Sequence, residues 1–220
     1  MTEQLKAIIA QRLHVARHPL VKTKMTMLRN AETGNREFRE LVGEITSLLA
    51  YIATRHLEIV PKSVQTPVGT AEGWECEQKF GIVPILRAGL GMVESISRLL
   101  PTAKIGHIGM YRDPETLQPV HYYCKLPPEI ENREILLVDP MVATGYTAAA
   151  GIDYLKKAGA VPERIKLLCL VAAPQGVEEI LRNHPEVDIY AAAYDDAPLN
   201  DHGYIVPGLG DAGDRIFGTR

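Results

Sequence analysis

The chain has 220 residues, 46% hydrophobic and 23% charged, with a formal net charge of -3. That balance excludes disordered and fibrous classes, and at about 100–200 residues per domain the length fits one large domain or two small ones. The longest apolar run, Leu167 to Ala173, stops at Pro174, far short of the roughly 20 residues that cross a bilayer, so no membrane partner is expected.

Charge is uneven along the chain. Met1 to Asn30 carries six Lys/Arg against Glu3 alone, whereas His184 to Asp214 carries seven Asp/Glu and no Lys or Arg. The basic segment reads as a solvated arm or subunit contact, with an anion site as the alternative. The acidic one belongs beside something cationic or in water. Charges break up MTEQLKAIIAQR, so it has no secretory core. Cys76, Cys124 and Cys169 are odd in number, widely spaced and without a CxxC. They argue against a disulfide framework or structural zinc and for a reduced, cytoplasmic chain. A pI near 6.2 gives no general reason to expect nucleic acid.

In chain order, the first strong element lies between Asn35 and Ile52. Phe38, Leu41, Val42, Ile45, Leu48, Leu49 and Ile52 follow i, i+3, i+4, i+7 and predict an amphipathic helix. From Lys79 onward, short apolar runs alternate with helical patterns. FGIVPIL leads to a helix over Met92–Leu100, then come KIGHIGMY, HYYCK and EILLVD. A helix over about Thr147–Lys157, KLLCLVA, a helix over about Val177–Arg182 and DIYAAA complete the series. Continuous rather than alternating apolar strands predict an α/β fold, a mainly parallel sheet flanked by helices. Ligands of such sheets bind beyond the carboxyl ends of the strands. No repeat or linker divides the chain, so a single domain over 1–220 is expected.

Four loops at that edge carry chemistry. In EILLVDPMVATGYTAAAGIDYLKKAG a buried strand ends at Asp139 and a helix opens near Thr147. Free amides and the positive end of the helix dipole gather there and suit a phosphate. Gly145 permits close approach, and Thr144 and Thr147 offer hydroxyls. Asp139 would repel that phosphate and suits paired sugar hydroxyls. The plain alternative is a capped helix after a strand. The stretch is neither GxxxxGK nor GxGxxG, so ATP and dinucleotide readings lose their support. In GIVPILRAGLGMVESI, Arg87 follows the strand among glycines, well placed for forked bonds to an anion unless it is a surface arginine in a turn. KIGHIGMY runs into Arg112, Asp113 and PETLQP, and a second guanidinium on this edge suggests a dianionic or larger group. YIVPGLGDAGDR is glycine-dense, so its main chain can meet the edge of a small flat ring, or it is merely a turn-rich terminus.

Taken in order, PILRAGLGM, GMYRDPETLQPV, YYCKLP, VDPMVATGYTA and YIVPGLGDAGDR resemble the uracil phosphoribosyltransferases, as do HPLVKTKMTMLRN and FRELVGEITSLLAYIATR nearer the start. The resemblance implies a type I phosphoribosyltransferase core (about 56–195), an N-terminal arm and helix (about 1–55) and a small C-terminal base-binding hood (loop about 200–216). It implies transfer of phosphoribose from 5-phospho-α-D-ribose 1-diphosphate to uracil, giving UMP and diphosphate in pyrimidine salvage. Arg87 and Arg112 would hold the diphosphate. Asp139, Pro140, Met141, Val142, Ala143, Thr144, Gly145, Tyr146 and Thr147 would hold the ribose and its 5-phosphate. The main chain of Ile205, Gly210 and Ala212 would recognise uracil, with Asp211 facing the donor and its hydrated metal. Mg²⁺ bound through the donor, a homo-oligomer (dimer or tetramer) and a GTP effector are further implications.

Two departures from the family pattern stand out. The usual Ala-Thr-Gly-Gly-Ser here has Tyr146 and Thr147 in its last two places, and PETLQP stands for EETLEP. Thr147 keeps the hydroxyl. Tyr146 opens the helix with its ring outward, or it strains a position that needs φ > 0. Alternative functions are transfer to another nucleobase and a nucleotide-sensing RNA-binding regulator on the same fold.

Overall fold

A computed structural model describes residues 2–112 and 119–219, the side chain of Arg112 excepted. The apolar runs become strands β4 (Lys79–Leu86), β8 (Arg133–Val138), β10 (Ile165–Ala172) and β11 (Asp188–Tyr194). KIGHIGMY is split at Gly106, whose amide donates to the Ile82 carbonyl at 2.9 Å, into β5 (Lys104–Ile105) and β6 (His107–Arg112). With β1 (Leu13–Val15) and β7 (Pro119–Lys125) the sheet order is β1-β11-β10-β8-β4-β6-β7, antiparallel only between β6 and β7. Short β9 (Met141–Val142) pairs with β10.

Side chains of a strand alternate between faces, so β10 feeds two cores. Leu168 and Leu170 pack with α2 (Pro19–Arg29), α3 (Asn35–Ala53), α4 (Leu90–Leu99) and α7 (Ala212–Phe217). Leu167 and Cys169 pack with α1 (Glu3–Arg12), α5 (Tyr146–Lys157) and α6 (Pro174–Asn183). Burial and the nearby Asp139 charge push the Cys169 thiol far up, so it stays protonated. No helix among the described residues is long and apolar enough to cross a membrane.

The basic segment, expected to be a solvated arm or a subunit contact, packs in part on this chain's own core. α2 buries Val21, Met25 and Leu28 at i, i+4, i+7, and β1 joins the sheet beside β11. The basic segment also meets the acidic one. Arg12 and His14 reach Asp188 at 3.5 and 3.1 Å, and Arg29 grips Asp195. Burial opposes the Asp188 charge, but hydrogen bonds and charge from His14 and Arg12 hold its carboxyl below the usual range. The sequence reading also lacked the hairpin of β2 (Val60–Thr66) and β3 (Gly69–Glu75), which among the described residues pair only with each other.

Candidate active site

A cleft of about 870 Å³ opens beyond the carboxyl ends of β4, β6 and β8. One wall is the loop from Asp139 into α5. Gly145, the residue before the helix, has φ +83, and a Cβ there would lie 2.5 Å from the Gly176 carbonyl oxygen. Only glycine fits. A Cβ on Gly176 would in turn lie 2.6 Å from the Ala143 carbonyl, so the first turn of α6 supports the loop main chain to main chain. The Ala149 amide donates to Gly145 at 2.9 Å, and the amides of Tyr146, Thr147 and Ala148 precede it at the positive end of the helix. Asp139 is half-buried at the strand's end, and its Oδ1 accepts from the Met141 amide at 3.3 Å.

Met141, Val142, Ala143, Thr144, Gly145 and Thr147 all line the cleft with Asp139. Pro140 and Tyr146 do not. Pro140 is buried toward the sheet, where its carbonyl accepts from the amides of Leu170 and Val171 at 3.0 and 3.1 Å. Tyr146 takes the first helical position without a left-handed backbone, half-buried and outside the cleft.

Arg87 follows β4 across the cis Leu86–Arg87 peptide, with its side chain 61% exposed and Nη2 3.8 Å from Asp214. The main chain of Arg112 ends β6, the strand beside β4, so it reaches the same edge of the sheet. The Arg112 side chain and residues 113–118, which hold Asp113 and all of PETLQP but its last proline, lie outside the described residues.

The opposite wall is the glycine-rich loop before α7. Ile205 and Leu209 anchor it, 3% and 4% exposed, in the α2–α3 core. Asn200 and Tyr204 close its base through Asn200 N–H to Tyr204 O at 3.0 Å and Tyr204 N–H to Asn200 Oδ1 at 2.9 Å. Among the described residues, the main-chain groups of Ile205 and Gly210 have no protein partner, and both residues line the cleft with Ala212. Asp211 also lines it, and its Oδ1 accepts from the Asp214 amide at 2.9 Å, capping α7. Met110, Asp201, His202 and Tyr204 line the cleft as well. All four fall in segments that the sequence analysis quotes or bounds, the GMYRDPETLQPV motif and the loop at about 200–216, but no local spacing singles them out as site residues. The Pro-Gln-Gly after β10 was the available signal for Gly176.

A mainly parallel sheet whose carboxyl edge combines a helix N-terminus, a strand-end carboxylate, an arginine and an unpaired peptide edge defines an α/β protein with a cleft chemically suited to a phosphorylated small molecule. A family model described as uracil phosphoribosyltransferase matches residues 15–219. Relatives named uracil phosphoribosyltransferase from Desulfitobacterium hafniense and Exiguobacterium sibiricum are 53% and 57% identical over 210 residues, 95% of this chain and 99% of theirs. The solved structure of AQ2163 protein from Aquifex aeolicus matches with a TM-score of 0.88 at 34% identity, covering 94% of this chain and 98% of that one. An adenine phosphoribosyltransferase from Leishmania donovani shares the fold at a TM-score of 0.55 and 14% identity, over 86% of each chain. The chain belongs to the uracil phosphoribosyltransferase family, and its fold is that of the type I phosphoribosyltransferases.

Proposed function

We propose that this chain is the enzyme that transfers phosphoribose from 5-phospho-α-D-ribose 1-diphosphate to N1 of uracil, giving UMP and diphosphate. One observation carries the reading: the phosphate nest at the start of α5 and the unpaired peptide edge at Ile205 and Gly210 are two walls of one cleft.

Charge separates as the bond from the anomeric carbon to the diphosphate breaks, so groups that stabilise the departing anion lower the barrier. Arg87 and Arg112 take that role. The amides from Gly145 to Ala148 hold the 5-phosphate while Asp139 accepts from the ribose hydroxyls. The main chain of Ile205, Gly210 and Ala212 orients uracil against the opposite face of the sugar. Asp211 faces the donor. Mg²⁺, entering on diphosphate oxygens and water, would neutralise leaving-group charge. Asp211, which lines the cleft, would face the water shell of that ion.

A homo-oligomer, a dimer or tetramer, is part of this proposal. It is supported by a hairpin that leaves Val68 97% and Trp74 68% exposed. The cytoplasmic assignment is supported by three free cysteines. The GTP effector is supported by family resemblance alone. Turnover with uracil, cytosine, hypoxanthine and adenine tests the reading. Uracil alone should yield a nucleotide, and faster turnover of a purine would overturn it.

A further inference from the structure

The base-facing wall has almost no secondary structure of its own. Gly203, Gly208 and Gly210 all take positive φ, and the loop runs irregularly from β11 to the short α7. Such a segment is free to move unless side chains from elsewhere fix it. Here the fixing group comes from α2, far away in sequence. Arg29 donates from Nη1 and Nη2 to the two carboxylate oxygens of Asp195, at 2.7 and 2.6 Å. Nη1 also donates to the Gly208 carbonyl at 2.7 Å. Asp195 accepts from the Gly208 amide at 3.0 Å, so both main-chain groups of Gly208 are read by one ion pair.

The ion pair is itself fixed. Asp195 stands just beyond β11 with its amide on the Ala172 carbonyl at 2.9 Å, and its side chain is 9% exposed. A forked arginine–carboxylate pair shielded from water holds geometry that an exposed pair does not. Gly208 then transmits the position. Its φ is +57, and a Cβ there would lie 2.2 Å from the Ile205 carbonyl oxygen, so the chain from Ile205 to Gly208 turns back on itself. Where Gly208 is held, Ile205 is held.

We propose that Arg29 and Asp195 are positioning residues that set, through Gly208, the place of the Ile205 main chain in the cleft and hence the enzyme's grip on the nucleobase. This rests on the reading of that wall as the base site. Arg29 does not line the cleft; a lysine can keep its charge but not its fork, and methionine keeps neither.

The test is steady-state kinetics of Arg29→Lys, Arg29→Met and Asp195→Asn beside the unaltered enzyme, with Tm measured for each. Uracil KM should rise about tenfold or more in Arg29→Met, less in Arg29→Lys and Asp195→Asn. Donor KM should stay within about twofold and kcat within about threefold. Unchanged uracil KM, or equal rises in both KM values, would overturn the proposal. So would failure of both conservative variants, Arg29→Lys and Asp195→Asn, to fold, since the pair would then be a folding contact. If the unaltered enzyme itself fails to turn over uracil, the reading of the site fails, a result distinguishable from any variant's behaviour, and the proposal falls with it.

Discussion

The two walls of the cleft are built in different ways. The phosphate wall grows out of regular structure. β8 delivers Asp139 to the sheet edge, α5 supplies amides, and the main chain of α6 braces the turn through Gly145 and Gly176. The base wall is irregular chain suspended by side chains. Arg29 and Asp195 hold Gly208, Arg215 donates to the Leu209 carbonyl at 2.9 Å, and Asn35 donates to the carbonyls of Arg215 and Ile216 at 2.7 and 2.8 Å. Arg215 also lies over the Phe38 ring, 4.2 Å from its centre. The contrast teaches that the proposed anion site is a property of the sheet, whereas the proposed base site depends on the N-terminal helices docking onto it.

If the walls act separately, changes on the phosphate side should leave uracil binding alone. Arg87→Ala should lose about 2–4 kcal/mol of transition-state stabilisation, about 30- to 1000-fold in kcat/KM, with uracil KM nearly unchanged. Asp139→Asn should cost about 1.5–3 kcal/mol, the range for hydrogen bonds to a charged group, read as about 10- to 150-fold in kcat/KM for the donor. A comparable rise in uracil KM for either variant would break the separation. Tyr146→Gly should change donor KM less than tenfold, since Tyr146 already sits in helical backbone outside the cleft. A larger gain would mean that the tyrosine distorts the nest.

The smallest effect concerns stability behind the phosphate wall. Nδ1 of His184 accepts from Lys156 at 3.1 Å and its Nε2–H donates to the Ala149 carbonyl at 3.2 Å, which fixes the neutral ring against α5. Burial, then the Lys156 charge, lowers the His184 pKa from 6.5. A folded-state pKa below the unfolded one means that the unfolded chain binds the proton first. The stability that His184 contributes is therefore complete above about 6.5 and lost as pH falls from there toward its folded value. Scanning calorimetry should show Tm dropping from pH 7 to 5.5, and His184→Gln should make that drop shallower. An unchanged slope would remove His184 from the acid response.

The same contrast explains what the sequence disclosed. EILLVD and the Thr-Gly turn announce the phosphate wall because strand, turn and helix start are contiguous, and local propensity suffices. The base wall shows locally only as glycines, since supports from α2 and α3 lie far along the chain, Arg29 179 residues from Gly208 and Asn35 180 from Arg215. Val21, Met25 and Leu28 carried a helical period, and His18 and Pro19 a helix start, but six cations in the segment directed the reading toward a solvated arm. Two of those cations, Arg12 and Arg29, meet Asp188 and Asp195, a pairing that only the fold brings together. The hairpin of β2 and β3 gave little signal because its side chains are mostly exposed and polar.

The most direct measurement is a crystal structure of the chain with UMP. The 5-phosphate should sit about 2.9 Å from main-chain nitrogens between Gly145 and Ala148, with the ring edge on the main chain of Ile205, Gly210 and Ala212. A nucleotide whose phosphate lies away from the start of α5, or whose base leaves that loop untouched, would contradict the two-walled site.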